Sequence, residues 1–178
     1  MKHFIVLDGG TQNIKAFVFN EYGEIVSSFI EPVVPYFSKK PEFAEQDAEK
    51  YVSVMANVTK EALRRAKVNK EDYVAVAITS HRSTVVPVDR NGTPVRSAIT
   101  WLDERMTEGL KFPGIFTGLI AKIIGEKHKL DEFQRRSKFN WLKVYEPQNY
   151  EKTDKFLTMS SYIFKEITGK IKDCSSMM

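Results

Sequence analysis

FIVLDGGTQNIKAFVF, Phe4 to Phe19, sets an apolar run, a charged and glycine-rich interruption and a second, alternating run in succession. Ile14, Ala16 and Val18 share one side of the second run, and Lys15, Phe17 and Phe19 the other, which is the two-residue period of a strand. Asn20-Glu21-Tyr22-Gly23 then reads as a turn, and Glu24 to Ile30 as a third strand. Strands joined by turns this short run antiparallel, because parallel neighbours need a crossover. The chain opens on a three-strand meander.

The pattern changes beyond it. Pro32, Pro35 and Pro41 mark a loop that cannot continue a ladder. Asp47 is placed to cap a long helix running to about Lys67, on which Tyr51, Met55, Val58 and Ala62 form one stripe. Tyr73 to Thr79 predicts a strand buried on both faces. Thr84 to Val88 predicts another, closed by the turn residues Asp89-Arg90-Asn91-Gly92. The order β-β-β-α-β-β predicts an α/β domain with a mixed sheet covered by helices. After Arg105 the pattern is helical: an apolar helix over Ile115 to Ile124, one over Lys138 to Val144, and one over 154–168. The last would be capped by Thr153 or Asp154 and closed by Gly169.

Composition narrows the function classes. The 178 residues, 42% hydrophobic and 28% charged, suit one soluble domain with a real core. No apolar stretch is long enough to span a bilayer, and Phe4 to Leu7 is too short for a signal-peptide core. A single cysteine, Cys174, excludes an internal disulfide and fits a reducing cytoplasm. The net charge of +4 lies wholly in residues 108–178, where 13 Lys+Arg face 9 Asp+Glu. Those cations are scattered among acids without a nucleic-acid motif, so a solvated helical surface accounts for them better than DNA or RNA.

Three clusters carry candidate chemistry. Asp8-Gly9-Gly10-Thr11 lies between two strands, where glycines permit positive φ and close backbone approach, so that N–H groups can converge on an anion. Thr11, Gln12 and Asn13 add side-chain donors and Lys15 a cation; Asp8 could hold Mg²⁺ through water. The same four residues also suit a plain β-turn. Thr79-Ser80-His81-Arg82-Ser83-Thr84 follows the end of a strand, where ligands of α/β sheets bind, and Arg82 could grip hydroxyls or an anion. In Trp101-Leu102-Asp103-Glu104-Arg105 the indole offers a flat apolar face, while Asp103 and Arg105 could simply pair with each other.

Taken in order, these clusters resemble the N-terminal part of the FGGY carbohydrate kinases, the group of glycerol kinase, xylulokinase and ribulokinase. The resemblance rests on LDGGTQNIKAFVF at 7–19, AEQDAEKY at 44–51, AITSHRSTVVPVDRNGTPV at 77–95 and AITWLDER at 98–105. FNWLK and SSYIFKEITGKIKDCSS, within 139–176, complete it, and it is weakest across 106–132. It implies the actin-like, ribonuclease-H-like α/β fold and transfer of the γ-phosphoryl group of ATP, with Mg²⁺, to a small sugar or polyol. Asp8, Gly10 and Thr11 match the family's first phosphate motif. Arg82 matches the substrate-gripping arginine of the glycerol-kinase type. His81 and Ser83 replace the glutamine and glutamate that flank that arginine in glycerol kinases, which removes a carboxylate acceptor. Trp101 and Asp103 match the family's W-x-D segment, and Phe133 falls where glycerol kinases place a substrate-contacting tyrosine.

The resemblance also implies missing parts. The family's general-base aspartate and its second, nucleotide-binding domain are expected beyond Met178. The chain reads as a partial N-terminal domain spanning 1–178, inactive alone, with homo-oligomerisation left open. The rival reading is a non-catalytic actin-like module that binds a partner or assembles, motivated by the apolar stretch Ile115 to Ile124.

Overall fold

The structure, a computed structural model, describes residues 1–34, 36–108 and 127–173. In chain order its elements are β1 (His3–Gly9), β2 (Asn13–Asn20), β3 (Ile25–Pro32), β4 (Glu45–Gln46), α1 (Ala48–Ala66), β5 (Tyr73–Ser80), β6 (Val85–Val88) and β7 (Ala98–Ile99). There follow α2 (Lys127–Arg136), α3 (Lys138–Tyr145), α4 (Pro147–Lys152), β8 (Lys155–Thr158) and α5 (Met159–Thr168).

The meander forms as its periodicity predicts. β1 pairs antiparallel with β2, and β2 with β3. Ile14, Ala16 and Val18 are fully buried, because one face of the sheet is covered by α1. The Asp47 carboxylate caps that helix by accepting from the Lys50 N–H at 2.9 Å, and Lys67 ends it in the left-handed region at φ 52°. Tyr51, Met55, Val58 and Ala62 are the buried stripe. Each large apolar side chain so buried contributes about 1.5–3 kcal/mol. α1 is also the crossover that brings β5 back parallel to β1, giving a sheet of order β3-β2-β1-β5.

Two expectations need correction. β5 is not buried on both faces: among the described residues it is the edge of its sheet, and Val74 and Val76 are 49% and 52% exposed. α1 lies over β2 and β3 and leaves β5 outside its cover. The helix expected over 154–168 starts later. Its first residues are β8, paired antiparallel with β6 (Val86 opposite Leu157), because ladder partners and burial of Leu157 outweigh helical patterning there. The Thr158 hydroxyl caps α5 by accepting from the Ser161 N–H at 3.2 Å, and Gly169 closes it at φ 69°.

β6 also departs from the single sheet expected. It belongs to a second four-stranded sheet of order β4-β7-β6-β8. β4 and β7 are two residues each, too short for any period to show. The expected helix Ile115 to Ile124 and Cys174 lie outside the described residues. Among the described residues, no helix is long and apolar enough to cross a membrane.

Candidate functional site

The turn between β1 and β2 is closed by the Gly10 N–H, which donates to the Asn13 carbonyl at 3.0 Å and leaves Thr11 and Gln12 at the tip. Neither tip N–H has a partner among the described residues. Gly9 and Gly10 are required by close approach, not by positive φ, which neither adopts. A Cβ on Gly9 would lie 2.6 Å from the Tyr51 hydroxyl and 3.2 Å from the Thr79 carbonyl oxygen; one on Gly10 would lie 2.9 Å from the Asn13 carbonyl oxygen. Tyr51 braces the turn from α1, its hydroxyl donating to the Gly10 carbonyl at 3.0 Å. Burial, with the Asp8 charge nearby, raises the Tyr51 pKa far above its ordinary value, so the hydroxyl stays a donor. Asp8 and Lys15 are cross-strand partners on the sheet face opposite the α1 core, and Lys15 Nζ reaches the Asp8 carboxylate at 3.3 Å.

The parallel pairing of β1 with β5 carries the next segment to the same place. Ser80 is opposite Gly9, and the His81 N–H donates to the Gly9 carbonyl at 3.2 Å. His81 Nδ1 lies 3.3 Å from that oxygen, which fixes it as the protonated nitrogen and leaves Nε2 a buried acceptor with no partner among the described residues. Burial lowers the His81 pKa, so the ring is neutral at pH 7. Arg82 is exposed and forms no ion pair among the described residues. The Trp101 indole closes the far side, with its N–H donating to the Thr11 hydroxyl at 3.0 Å. Asp8, Gly10, Thr11, His81, Arg82 and Trp101 thus share a cavity of about 460 Å³. Beyond the indole, Gln12, Asn13 and Lys15 line a second cavity of about 480 Å³.

The comparisons with known proteins follow the same arrangement. The model of the FGGY family of carbohydrate kinases, N-terminal domain, matches residues 3–177. This chain belongs to that family. It is 30% identical over 175 residues to glycerol kinase of Agathobacter rectalis, covering 94% of this chain and 34% of that protein. It is 27% identical over 173 residues to xylulose kinase of Staphylococcus xylosus, covering 96% of this chain and 35% of that one. Among solved structures, gluconate kinase from Lactobacillus acidophilus superposes with a TM-score of 0.76 at 18% identity, over 99% of this chain and 35% of that one. Plasmodium falciparum glycerol kinase with ADP gives 0.68 at 23%, over 95% and 35%. These likenesses carry the actin-like fold. The chain spans about a third of the length of the curated relatives it matches.

Two residues expected at the substrate, Asp103 and Phe133, do not line the cavity shared by Arg82 and Trp101. The Asp103 side chain is fully buried and accepts from Arg105 Nε and Nη2, both at 2.6 Å, and from the Ala44 N–H at 2.7 Å. Arg105 is stacked between Phe43 and Trp141, 3.9 and 4.4 Å from the ring centroids, and also donates to Glu45 at 2.9 Å. Burial alone would raise the Glu45 pKa, but Arg96 and Arg105 outweigh it and hold the carboxylate below its usual range. Asp103 is therefore an anchor for the loop that carries Trp101, the simple pair with Arg105 that its sequence also allowed. Phe133, on α2, is 72% exposed and does not line the cavity shared by Arg82 and Trp101. Sequence reasoning missed the Tyr51 hydroxyl and missed Lys138, whose ammonium donates to the carbonyls of Ser83 and Thr100. Tyr51 was visible only as part of an apolar stripe, and Lys138 only as a helix start.

Proposed function

We propose that this chain is the substrate-side wall of an ATP-dependent sugar or polyol kinase. One observation carries the reading: the two unpartnered N–H groups at Thr11 and Gln12 are tied, through the Thr11–Trp101 hydrogen bond, to a wall that presents a free guanidinium and an exposed indole. The tip N–H groups and Lys15 suit a phosphate, since converging backbone donors favour an anion. The Arg82 fork suits two neighbouring hydroxyls, and the Trp101 face suits the C–H side of a carbon skeleton. His81, neutral, offers Nε2 as an acceptor for a donor that reaches it.

Mg²⁺ fits this turn in one way only. Among the described residues no three His, Cys, Asp or Glu side chains gather into a metal cage. Asp8 is a lone, half-exposed carboxylate already neutralised in part by Lys15. That donor set suits a magnesium ion that keeps its waters and arrives with the nucleotide phosphates. When bound, the ion would neutralise charge on the transferred group. The chain's own contribution is to orient the acceptor hydroxyl and hold the phosphoryl oxygens, and phosphoryl transfer depends on such positioning. The reading assigns no general base to residues 1–178, so the chain alone turns over no ATP, and it assumes a cytoplasmic setting.

The test is a titration of the chain with glycerol, D-xylulose and gluconate, followed by Trp101 fluorescence and the ¹⁵N resonances of Arg82. At least one probe should bind, and Arg82→Ala should weaken it at least about tenfold, about 1.4 kcal/mol, with thermal unfolding unchanged. A chain that responds to none of the three, or an Arg82→Ala variant that binds as before, sinks the assignment.

A further inference from the structure

Lys138 is the first residue of α3, and its side chain is half-buried. It donates to the Ser83 carbonyl at 2.5 Å and to the Thr100 carbonyl at 2.7 Å. Those carbonyls belong to separate segments: Ser83 follows Arg82, and Thr100 precedes Trp101.

Three forces oppose a cation at this place. The first turn of a helix is the positive end of its dipole. Burial strips water from the ammonium and lowers its pKa to about 8, against the pull of Asp103. Arg105 adds a like charge. A site evolved for packing alone would be better served by an uncharged side chain. What the lysine gains is the two carbonyls. Ser83 is held at φ 61°, in the left-handed region that residues with a side chain avoid unless their surroundings impose it. The bond from Lys138 is the one hydrogen bond Ser83 makes among the described residues.

We propose that Lys138 is a positioning residue of the substrate pocket: one half-buried cation ties the Ser83 and Thr100 carbonyls together and so fixes Arg82 and Trp101 relative to each other. The inference rests on reading that pocket as a sugar or polyol site. Lys138 faces backbone and acts only through the two segments it joins. Without its ammonium, Ser83 loses the bond that keeps it left-handed, and the Arg82 backbone is free to turn its side chain off the cavity. The charged groups that share its surroundings are Asp103 and Arg105, and the His81 ring feels its charge.

The experiment compares wild type, Lys138→Met and Lys138→Arg in this chain, with glycerol and D-xylulose as probes. In the absence of probe, Lys138→Met should shift the Arg82 and Ser83 amide and Trp101 indole resonances while leaving those of β2 and β3 in place. With probe, it should weaken binding about tenfold or more, and Lys138→Arg, which keeps a cation with forked donors, should restore most of that. Raising the pH through about 8 should move the Arg82 and Trp101 signals together in wild type and not in Lys138→Arg. This last measurement decides the matter even if Lys138→Met fails to fold. Unchanged Arg82 and Trp101 resonances in Lys138→Met, or shifts spread evenly over the whole sheet, would overturn the inference. A wild type that binds neither probe counts against the pocket's assignment instead, and the probe-free resonances still judge Lys138.

Discussion

Replacing Arg105 by methionine should be among the most damaging single changes in this chain, although the residue touches no candidate ligand. Its guanidinium makes two hydrogen bonds to Asp103 and one to Glu45, all within 2.9 Å, and its plane fills the gap between Phe43 and Trp141. Methionine would keep much of the packing between the rings and none of the charge. Glu45 would still have Arg96 and Lys39. Asp103 would keep only the backbone N–H groups of Ala44 and of residue 105, at 2.7 and 3.2 Å, and would lose its hydrogen-bonded counter-charge, with the Lys138 ammonium the one cation left nearby among the described residues. Breaking a buried pair from one side costs about 3–5 kcal/mol. For a chain of this size that is a fall in Tm of roughly 6–20 °C, at about 2–4 °C per kcal/mol. Urea denaturation followed by circular dichroism gives the free energy directly.

A further measurement separates the stranded charge from lost packing. Asp103→Asn in the Arg105→Met background removes the charge and should recover at least half of the deficit, because the two residues form one coupled unit. A loss below about 1 kcal/mol, the value of an exposed pair, or a double variant no better than the single one, would refute the reasoning.

Gly10→Ala would push a Cβ to 2.9 Å from the Asn13 carbonyl oxygen, a backbone atom that cannot move aside without opening the turn. The expected cost is about 1–3 kcal/mol, read by urea denaturation, and a Gly10→Ala chain as stable as wild type would show that the turn is not tightly closed. His81 has its pKa lowered by burial, so the folded state binds fewer protons than the unfolded one. Stability is then present above the unfolded value near about 6.5 and is lost as pH falls through it toward the folded value. His81→Gln should abolish that part of the decline between pH 7.5 and 5.5 in paired Tm measurements; parallel declines in both chains would contradict the assignment.

The parts of the fold legible in the sequence are those where burial imposes a period on neighbouring residues. Ile14, Ala16 and Val18 must alternate to reach the core, and Tyr51, Met55, Val58 and Ala62 must recur at helical spacing for the same reason. β5 misled because an apolar strand advertises its composition and not its neighbours; Val74 and Val76 look identical in a central strand and at an edge. β8 misled because Phe156 and Leu157 satisfy either period, and only the ladder to β6 decides between them. In the site, Asp8-Gly9-Gly10-Thr11 and His81-Arg82 were legible because strand ends announce themselves by a change in chemistry. Tyr51 and Lys138 were not. They act by donating to backbone carbonyls 41, 55 and 38 residues away, and a carbonyl leaves no mark on the sequence.

The W-x-D segment shows why a motif and a site are different things. Trp101 is half exposed and reaches Thr11, while Asp103, two residues on, is buried in the ion-pair network beneath the loop. Asp103 is bound by Arg105, Arg105 by Glu45, and Glu45 by Arg96. Lys138, beside Asp103, holds the carbonyl just before Trp101. The exposed indole therefore stands on a foundation of largely buried charges that pair with one another, with Arg105 Nη1 and Glu45 Oε2 left without hydrogen-bond partners among the described residues. Apolar packing of equal volume often stabilises a fold as well or better; here the bonds from Arg105 to Asp103 and from Lys138 to the Thr100 carbonyl hold the two ends of the W-x-D segment in place. A pocket holding the proposed sugar or polyol by one arginine and one indole would have use for that geometry, since an error of about 1 Å in either would cost far more than the contact itself contributes.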